Sequence, residues 1–187
     1  MTDQTRPDET TDETTVEASR VLPVPADEAF RAFTAPDLLA RWWGPVGFTG
    51  SVVEADVRAG GSTLTGMGAP PEYGGATTYN RWSYTHVEPP HRLEYTMAFA
   101  TADGSPLSPS DAGIPPGVPD GVPHVVTFEP VEGGTRVTVV ESGYAAGPGR
   151  DGSQMGLDQC MDKLEGLFRR PPDLAPPADG LGGTALA

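Results

Sequence analysis

The chain predicts an α+β fold in which a largely antiparallel sheet is covered by one long C-terminal helix. Three observations lead there. Apolar residues recur at period two in several segments between about 48 and 144, divided by Gly- and Pro-rich turns. Helical patterns lie in two places only, before that run of strands and after it. The resulting order is one strand, two short helices, the run of strands and then a helix. It lacks the regular strand–helix alternation of a parallel sheet and suits helices laid on an antiparallel one.

Val16 to Val24 alternates loosely and ends at Pro23 and Pro25, which suits an edge strand because proline has no N–H for the ladder. Pro25-Ala26-Asp27-Glu28 opens a helix with acids in the dipole-favoured first turn, and Ala29, Phe30 and Phe33 form its apolar stripe. Pro36-Asp37 starts a second short helix carrying Leu38, Leu39, Trp42 and Trp43, stopped by Gly44-Pro45. Strands follow at Phe48 to Val57 and Ser62 to Gly66 around the Gly60-Gly61 turn. Tyr79 to Glu88 and Arg92 to Ala100 form the clearest hairpin, with Leu93, Tyr95, Met97 and Phe99 on one face of its second strand. In its first strand, Trp82, Tyr84 and His86 share a face. Asp103 to Pro123 holds ten Gly or Pro in 21 positions and reads as a long loop or flap. Val125 to Pro130 and Thr135 to Tyr144 are further strands, the latter with Val137, Val139 and Glu141 on one face. Asp151 to Phe168 is the final helix, with Met155, Cys160, Met161, Leu164, Leu167 and Phe168 spaced mostly three and four apart.

Twelve basic and 26 acidic residues among 187 give a net charge of −14 and a pI near 4.4. Phosphate would be repelled, so neither nucleic acid nor an anionic membrane surface is an expected partner. Residues 1–15 are acidic and Thr-rich and residues 171–187 are rich in Pro, Gly and Ala; both read as disordered tails around a single domain at 16–170. The lone Cys160 rules out an internal disulfide framework and any multi-Cys metal site. With no run of 18 apolar residues and an acidic start, neither a membrane span nor a signal peptide is expected. A soluble cytoplasmic protein is.

Val21-Leu22-Pro23-Val24-Pro25-Ala26-Asp27-Glu28-Ala29-Phe30-Arg31-Ala32-Phe33 resembles the opening strand and helix of START-like, helix-grip proteins of the SRPBCC superfamily. Ala40-Arg41-Trp42-Trp43-Gly44-Pro45 is similar to the double-Trp segment of one branch, related to the C-terminal domain of the activator of the heat-shock protein 90 ATPase. Glu88-Pro89-Pro90-His91-Arg92-Leu93 with Tyr95, Val125 to Glu129, Gly134 to Val139, and Gly156 to Leu167 continue the likeness in order, over roughly residues 16–168. The resemblance implies a curved antiparallel sheet wrapped around the C-terminal helix, with a cavity between them. Relatives of this fold include lipid-transfer proteins, plant allergens, polyketide cyclases and the chaperone activator, so function has to be argued from the site. Many relatives carry Gly-Trp early in the last helix where this chain has Met155-Gly156, which would line the inner end of the cavity with a flexible thioether.

Trp42, Trp43, Trp82, Tyr84, Tyr95, Met97, Phe99, Phe128 and Met155 are the candidate ligand-binding residues, aromatic or apolar groups suited to a flat, mostly apolar molecule. Each has a plainer reading as core, and neighbours on one helix point about 100° apart, so at most one of Trp42 and Trp43 can be central to a pocket. His86, His124 and Glu141 are possible acids or bases if they reach the cavity; a hydrogen-bonded structural histidine or a solvent-facing carboxylate are the alternatives. Glu54 and Asp56 end a strand, and Arg81 and Arg136 are either carboxylate clamps or ordinary surface cations. The histidines show no metal-ligand spacing, and no phosphate loop, dinucleotide fingerprint or nucleophile elbow occurs, so no cofactor, metal or catalytic residue is assigned. The expected function is binding of a small apolar or aromatic molecule by a monomer or homodimer. A chaperone-ATPase activator and a cyclase- or dehydratase-type enzyme are the alternatives.

Overall fold

A computed structural model describes residues 14–169. Its elements in order are β1 (Thr15–Leu22), α1 (Ala26–Thr34), α2 (Pro36–Trp42), β2 (Thr49–Ala55), β3 (Ser62–Gly68), β4 (Thr77–Glu88), β5 (Arg92–Ala100), β6 (Val122–Val131), β7 (Gly134–Ser142) and α3 (Pro148–Phe168), with a one-turn 3-10 helix at Pro71–Tyr73. All seven strands form one curved antiparallel sheet in the order β1-β7-β6-β5-β4-β3-β2. The strand expected at 16 already opens at Thr15, which pairs with Ser142. The remaining tail residues lie outside the described residues, apart from Thr14, whose carbonyl accepts from the Tyr144 N–H at 3.1 Å. Among the described residues no helix is long and apolar enough to cross a membrane.

Local sequence explains the element boundaries. Ala35 precedes Pro36, and the proline ring disfavours helical geometry in the residue before it. Ala35 is accordingly extended (φ −90°, ψ 120°) and separates α1 from α2. α1 buries Ala29, Phe30 and Phe33, the stripe read from its spacing, and Ala32 beside them. Phe128 of β6 meets Phe30 and Phe33 edge-on at 5.2 and 5.3 Å, and Phe33 packs on Trp42 at 4.7 Å. Such tilted contacts suit the ring quadrupoles and weld α1, α2 and the sheet at one end.

α3 crosses the concave face and is tied to the free edge of β1. The Gln154 side chain bridges the Glu17 backbone at 3.3 and 2.8 Å, satisfying edge groups that would otherwise face solvent. Arg20 forks onto Asp162 at 2.8 and 3.0 Å and reaches Asp158 at 3.4 Å. Lys163 Nζ donates to the carbonyls of Gly44 and Phe48 at 2.9 and 3.2 Å, fixing the segment after α2. The helix starts three residues earlier than expected, at Pro148. Its buried stripe is Leu157, Cys160, Met161 and Leu164.

Two expectations about faces change. A register shift between Tyr84 and His86 inserts Thr85 as an extra residue in β4. Tyr84 still pairs with Tyr95 on the inner face, but His86 is turned outward and exposed beside Glu88, and Val87 takes the next inner position opposite Leu93. Met155 is 62% exposed, because two residues along a helix place it about 200° from Leu157 and hence on the solvent side.

Candidate functional site

A cavity of about 300 Å³ lies between the inner face of the sheet and the N-terminal half of α3. The sheet contributes Met67, Asn80, Met97 and Phe99, and the segment leaving α2 contributes Trp43, Pro45 and Phe48. From α3 come Gly152, Ser153, Gly156, Leu157 and Cys160. The space exists because two of these helix positions are glycine: a Cβ built on Gly152 or Gly156 would meet nothing within 4 Å. One turn earlier the same helix is tightly covered. A Cβ on Gly149 would stand 2.5 Å from the Pro116 carbonyl oxygen and 2.8 Å from that of Pro115.

Those prolines belong to the flap, which spans 103–121 because β6 already begins at Val122. The flap brings Ile114 and Pro115 to the cavity. Its Gly117 and Pro116 carbonyls accept the N–H groups of Ala145 and Gly149 at 2.9 and 3.1 Å, and the Leu107 N–H donates to Phe99 at 3.0 Å. Two other hollows, of about 320 Å³ beside Glu54–Ser62 and about 460 Å³ between Pro23–Ala26 and Pro130–Thr135, are shallower grooves over turns. Neither combines enclosure with an apolar wall.

The nine candidate ligand-binding residues separate into four groups. Trp43, Met97 and Phe99 line the cavity. Trp42 does not: its Nε1–H donates to the Ala32 carbonyl at 2.8 Å and its ring lies against Phe33. Trp82, Tyr84, Tyr95 and Phe128 are buried behind the lining as core. Met155 faces solvent, and Gly156 takes the wall position that the resemblance assigned to a thioether.

Two of this core group, Trp82 and Tyr95, form a ring stack with His124 across three strands. Trp82 stacks on Tyr95 at 4.4 Å and 4°, and Tyr95 stacks on His124 at 4.7 Å and 19°. Trp43 meets Trp82 edge-on at 4.7 Å. Register causes this order, since Tyr95 is the cross-strand partner of His124, and His124 of Glu141. Tyr84 donates to or accepts from Thr63 Oγ1 at 2.9 Å, and burial, relieved only in part by that bond, pushes its phenol up to about 12.

At the end of the stack His124 and Glu141 converge. His124 Nδ1 lies 2.8 Å from the Val122 carbonyl, which can only accept, so Nδ1 carries a hydrogen. Nε2 lies 3.2 Å from Glu141 Oε1, off the line of a good hydrogen bond. The other carboxylate oxygen accepts from the Tyr144 hydroxyl in a short hydrogen bond. Burial first, and then the Glu141 charge and this bond, hold the Tyr144 phenol well above its usual range. Glu141 and Tyr144 both line the cavity. Cys160 lines it as well, with its thiol pushed up to about 11, mainly by burial.

The remaining candidates stand elsewhere. Arg81 is held on the outer face by Glu54 and Ser62, both at 2.8 Å, and Arg136 pairs with Glu129 at 3.0 Å on the surface. Asp56 pairs with Arg58, and His91 is exposed. Sequence reasoning passed over Asn80 and Tyr144. Asn80 was accessible to it, being the polar residue two positions before Trp82 on the same strand face. Both of its side-chain polar atoms are buried and have no hydrogen-bond partner among the described residues, as is also true of Trp43 Nε1.

A seven-stranded sheet curved around a C-terminal helix, with a cavity between them, is the helix-grip architecture of START-like proteins. The chain belongs to the family described as Activator of Hsp90 ATPase homolog 1-like protein, whose family model matches residues 23–169. Among solved structures, protein CV1439 from Chromobacterium violaceum is 27% identical with a TM-score of 0.69, over 86% of this chain and 100% of that one. Protein Ms6760 from Mycobacterium smegmatis is 24% identical with a TM-score of 0.68, over 87% and 94%. The AHSA1 protein from Silicibacter pomeroyi shares the fold at 18% identity and a TM-score of 0.60, over 82% and 96%. No curated protein matches the chain in sequence.

Proposed function

We propose that this protein binds a small, mostly apolar or aromatic molecule between the sheet and α3. The supporting observation is the cavity itself. At about 300 Å³ it is at the lower end of the range for small-molecule sites, and Trp43, Met97, Phe99 and Leu157 give it a largely apolar wall. Such a wall gains from covering an apolar ligand, and the glycines of α3 leave room for one. Native mass spectrometry of freshly purified protein tests this: a small molecule that leaves on denaturation supports binding. Absence of any adduct, together with no chemical-shift response of Trp43 or Phe99 to a panel of bicyclic aromatics, would refute it. The acidic charge and the single buried thiol fit a cytoplasmic setting, which cell fractionation tests.

A second reading is favoured by one specific observation, the convergence of Glu141, His124 and Tyr144 at the cavity wall. A carboxyl group hydrogen-bonded by Tyr144 on one oxygen and flanked by His124 on the other could exchange a proton with a bound carbonyl compound at the carbon beside the carbonyl, as a cyclase or dehydratase requires. Deuterium washout from 2-tetralone at that carbon, faster with protein than in buffer and lost in Glu141→Gln, would support it. A rate equal to buffer would exclude it for this probe. The chaperone-activator reading rests on the family description; a large excess of this protein leaving an Hsp90 ATPase rate unchanged would remove it.

A further inference from the structure

We infer that the cavity selects a neutral bicyclic ligand bearing a lactam-type edge, an N–H beside a C=O, held by the side chain of Asn80 with Trp43 Nε1 as a further donor. The inference rests on the binding reading above and names the ligand chemistry of that same site. Asn80 is 0% exposed, lies on the inner face of β4 in step with Trp82 and Tyr84, and lines the cavity. Among the described residues neither its amide nitrogen nor its amide oxygen has a hydrogen-bond partner. Buried amides are nearly always paired, because an unpaired one forfeits its bonds to water without replacement. A primary amide presents a donor and an acceptor side by side, and the edge that satisfies both is another amide edge of cis geometry, as in a lactam. Trp43 contributes a second signal. Its Nε1 is buried, without a partner among the described residues, and its side chain lines the same cavity, so it can supply a donor to the second lone pair of the ligand carbonyl.

Charge narrows the class. Among the described residues lining the cavity there is no Lys, Arg or His, whereas Glu141 is present. A carboxylate ligand would lose its hydration without gaining a counter-ion and would face that acid. Carboxylic acids offer the same hydrogen-bonding edge only when protonated, which at pH 7 leaves the neutral lactam as the matching group. The ring system is set by the apolar wall and by the volume, about 300 Å³, which suits one or two fused rings.

The test is a titration of the full chain at pH 7 with 2-quinolone, naphthalene and 2-naphthoate, followed by protein NMR. 2-Quinolone keeps the bicyclic shape and adds the lactam edge, naphthalene lacks the edge, and 2-naphthoate carries the charge. The expected result is that 2-quinolone binds at least about tenfold tighter than either of the others, since a site built around polar groups rejects an analogue that leaves them unpaired. In Asn80→Leu the preference over naphthalene should fall to about one, with naphthalene affinity changed by less than about threefold. Naphthalene binding as tightly as 2-quinolone, an undiminished preference in Asn80→Leu, or tightest binding of 2-naphthoate would each overturn the assignment and leave the binding reading standing. No response to any of the three at 1 mM (about the weakest affinity worth assigning) would overturn both. If Asn80→Leu does not fold, Trp43→Phe decides. That variant keeps a ring and removes the donor; a loss of about threefold or more for 2-quinolone alone supports the assignment, and an unchanged 2-quinolone affinity, or an equal loss for naphthalene, overturns it.

Discussion

Replacing Gly156 by Ala should make this protein more stable, and replacing it by Leu should close the cavity. The position is inside α3, where glycine costs about 1 kcal/mol relative to alanine because its unfolded backbone is freer. That gain is realised only if the new Cβ has room, and at Gly156 it would meet nothing within 4 Å. About 1 kcal/mol raises the melting temperature of a chain of this size by roughly 2–4 °C. Gly149 on the same helix is the control of opposite sign. Its Cβ would be pressed to 2.5 Å from the Pro116 carbonyl, so the helix-propensity gain is overwhelmed and the flap must shift. Thermal and urea unfolding of Gly156→Ala and Gly149→Ala should therefore move in opposite directions. For Gly156→Leu, aromatic-probe binding should be lost while stability is kept, since the added side chain takes the ligand's place against Met97, Phe99 and Leu157. A destabilised Gly156→Ala would refute the reasoning, because it would mean that something already fills the space beside α3.

Trp82→Ala should cost about 3–5 kcal/mol in urea unfolding, because the ring is fully buried between Trp43 and Tyr95; Met155→Ala should stay within about 0.5 kcal/mol. Glu141→Ala removes the partner of both His124 and Tyr144, and a loss of about 3–5 kcal/mol by the same assay is expected, against little change for the exposed Glu129→Ala. Stability should also fall in alkali. Folding raises the Cys160 thiol from its ordinary 9.0 to about 11 and the Tyr84 phenol from 10.0 to about 12, so the folded state holds both protons more tightly. Their contribution, about 3 kcal/mol for the thiol, is complete below pH 9 and is lost as the pH rises towards 11 and then 12. Urea midpoints at pH 8 and 10.5 check this, and a flat profile, or an equal fall in Cys160→Ala, would count against it. The same raised thiol should leave Cys160 nearly inert to iodoacetamide at pH 7.5, whereas rapid labelling of the folded chain would show it to be open.

Local chemistry fixed most of the fold, because its signals are short-range. Pro36 alone breaks α1 from α2 through the residue before it, and the alternation of Leu93, Tyr95 and Phe99 puts these side chains on the inner face without reference to any partner. Residue type likewise marked the aromatic strand faces, His124 and Glu141 as groups to watch. What remained depended on register and rotation, which are properties of pairs of elements. One extra residue at Thr85 turns His86 out of a face that it shares by simple parity, and the bulge forms only against β5. The rotation of α3 exposes Met155 and presents Gly152 and Gly156 to the sheet, and it is set by Leu157, Cys160, Met161 and Leu164 packing together. His124 and Glu141 lie 17 residues apart and meet because β6 and β7 pair in one register. The sequence by itself therefore determined which residues are apolar, where the chain turns and which layers it builds. Only the tertiary structure decided which aromatics are core and which are wall, since a cavity is the space that packing leaves unfilled.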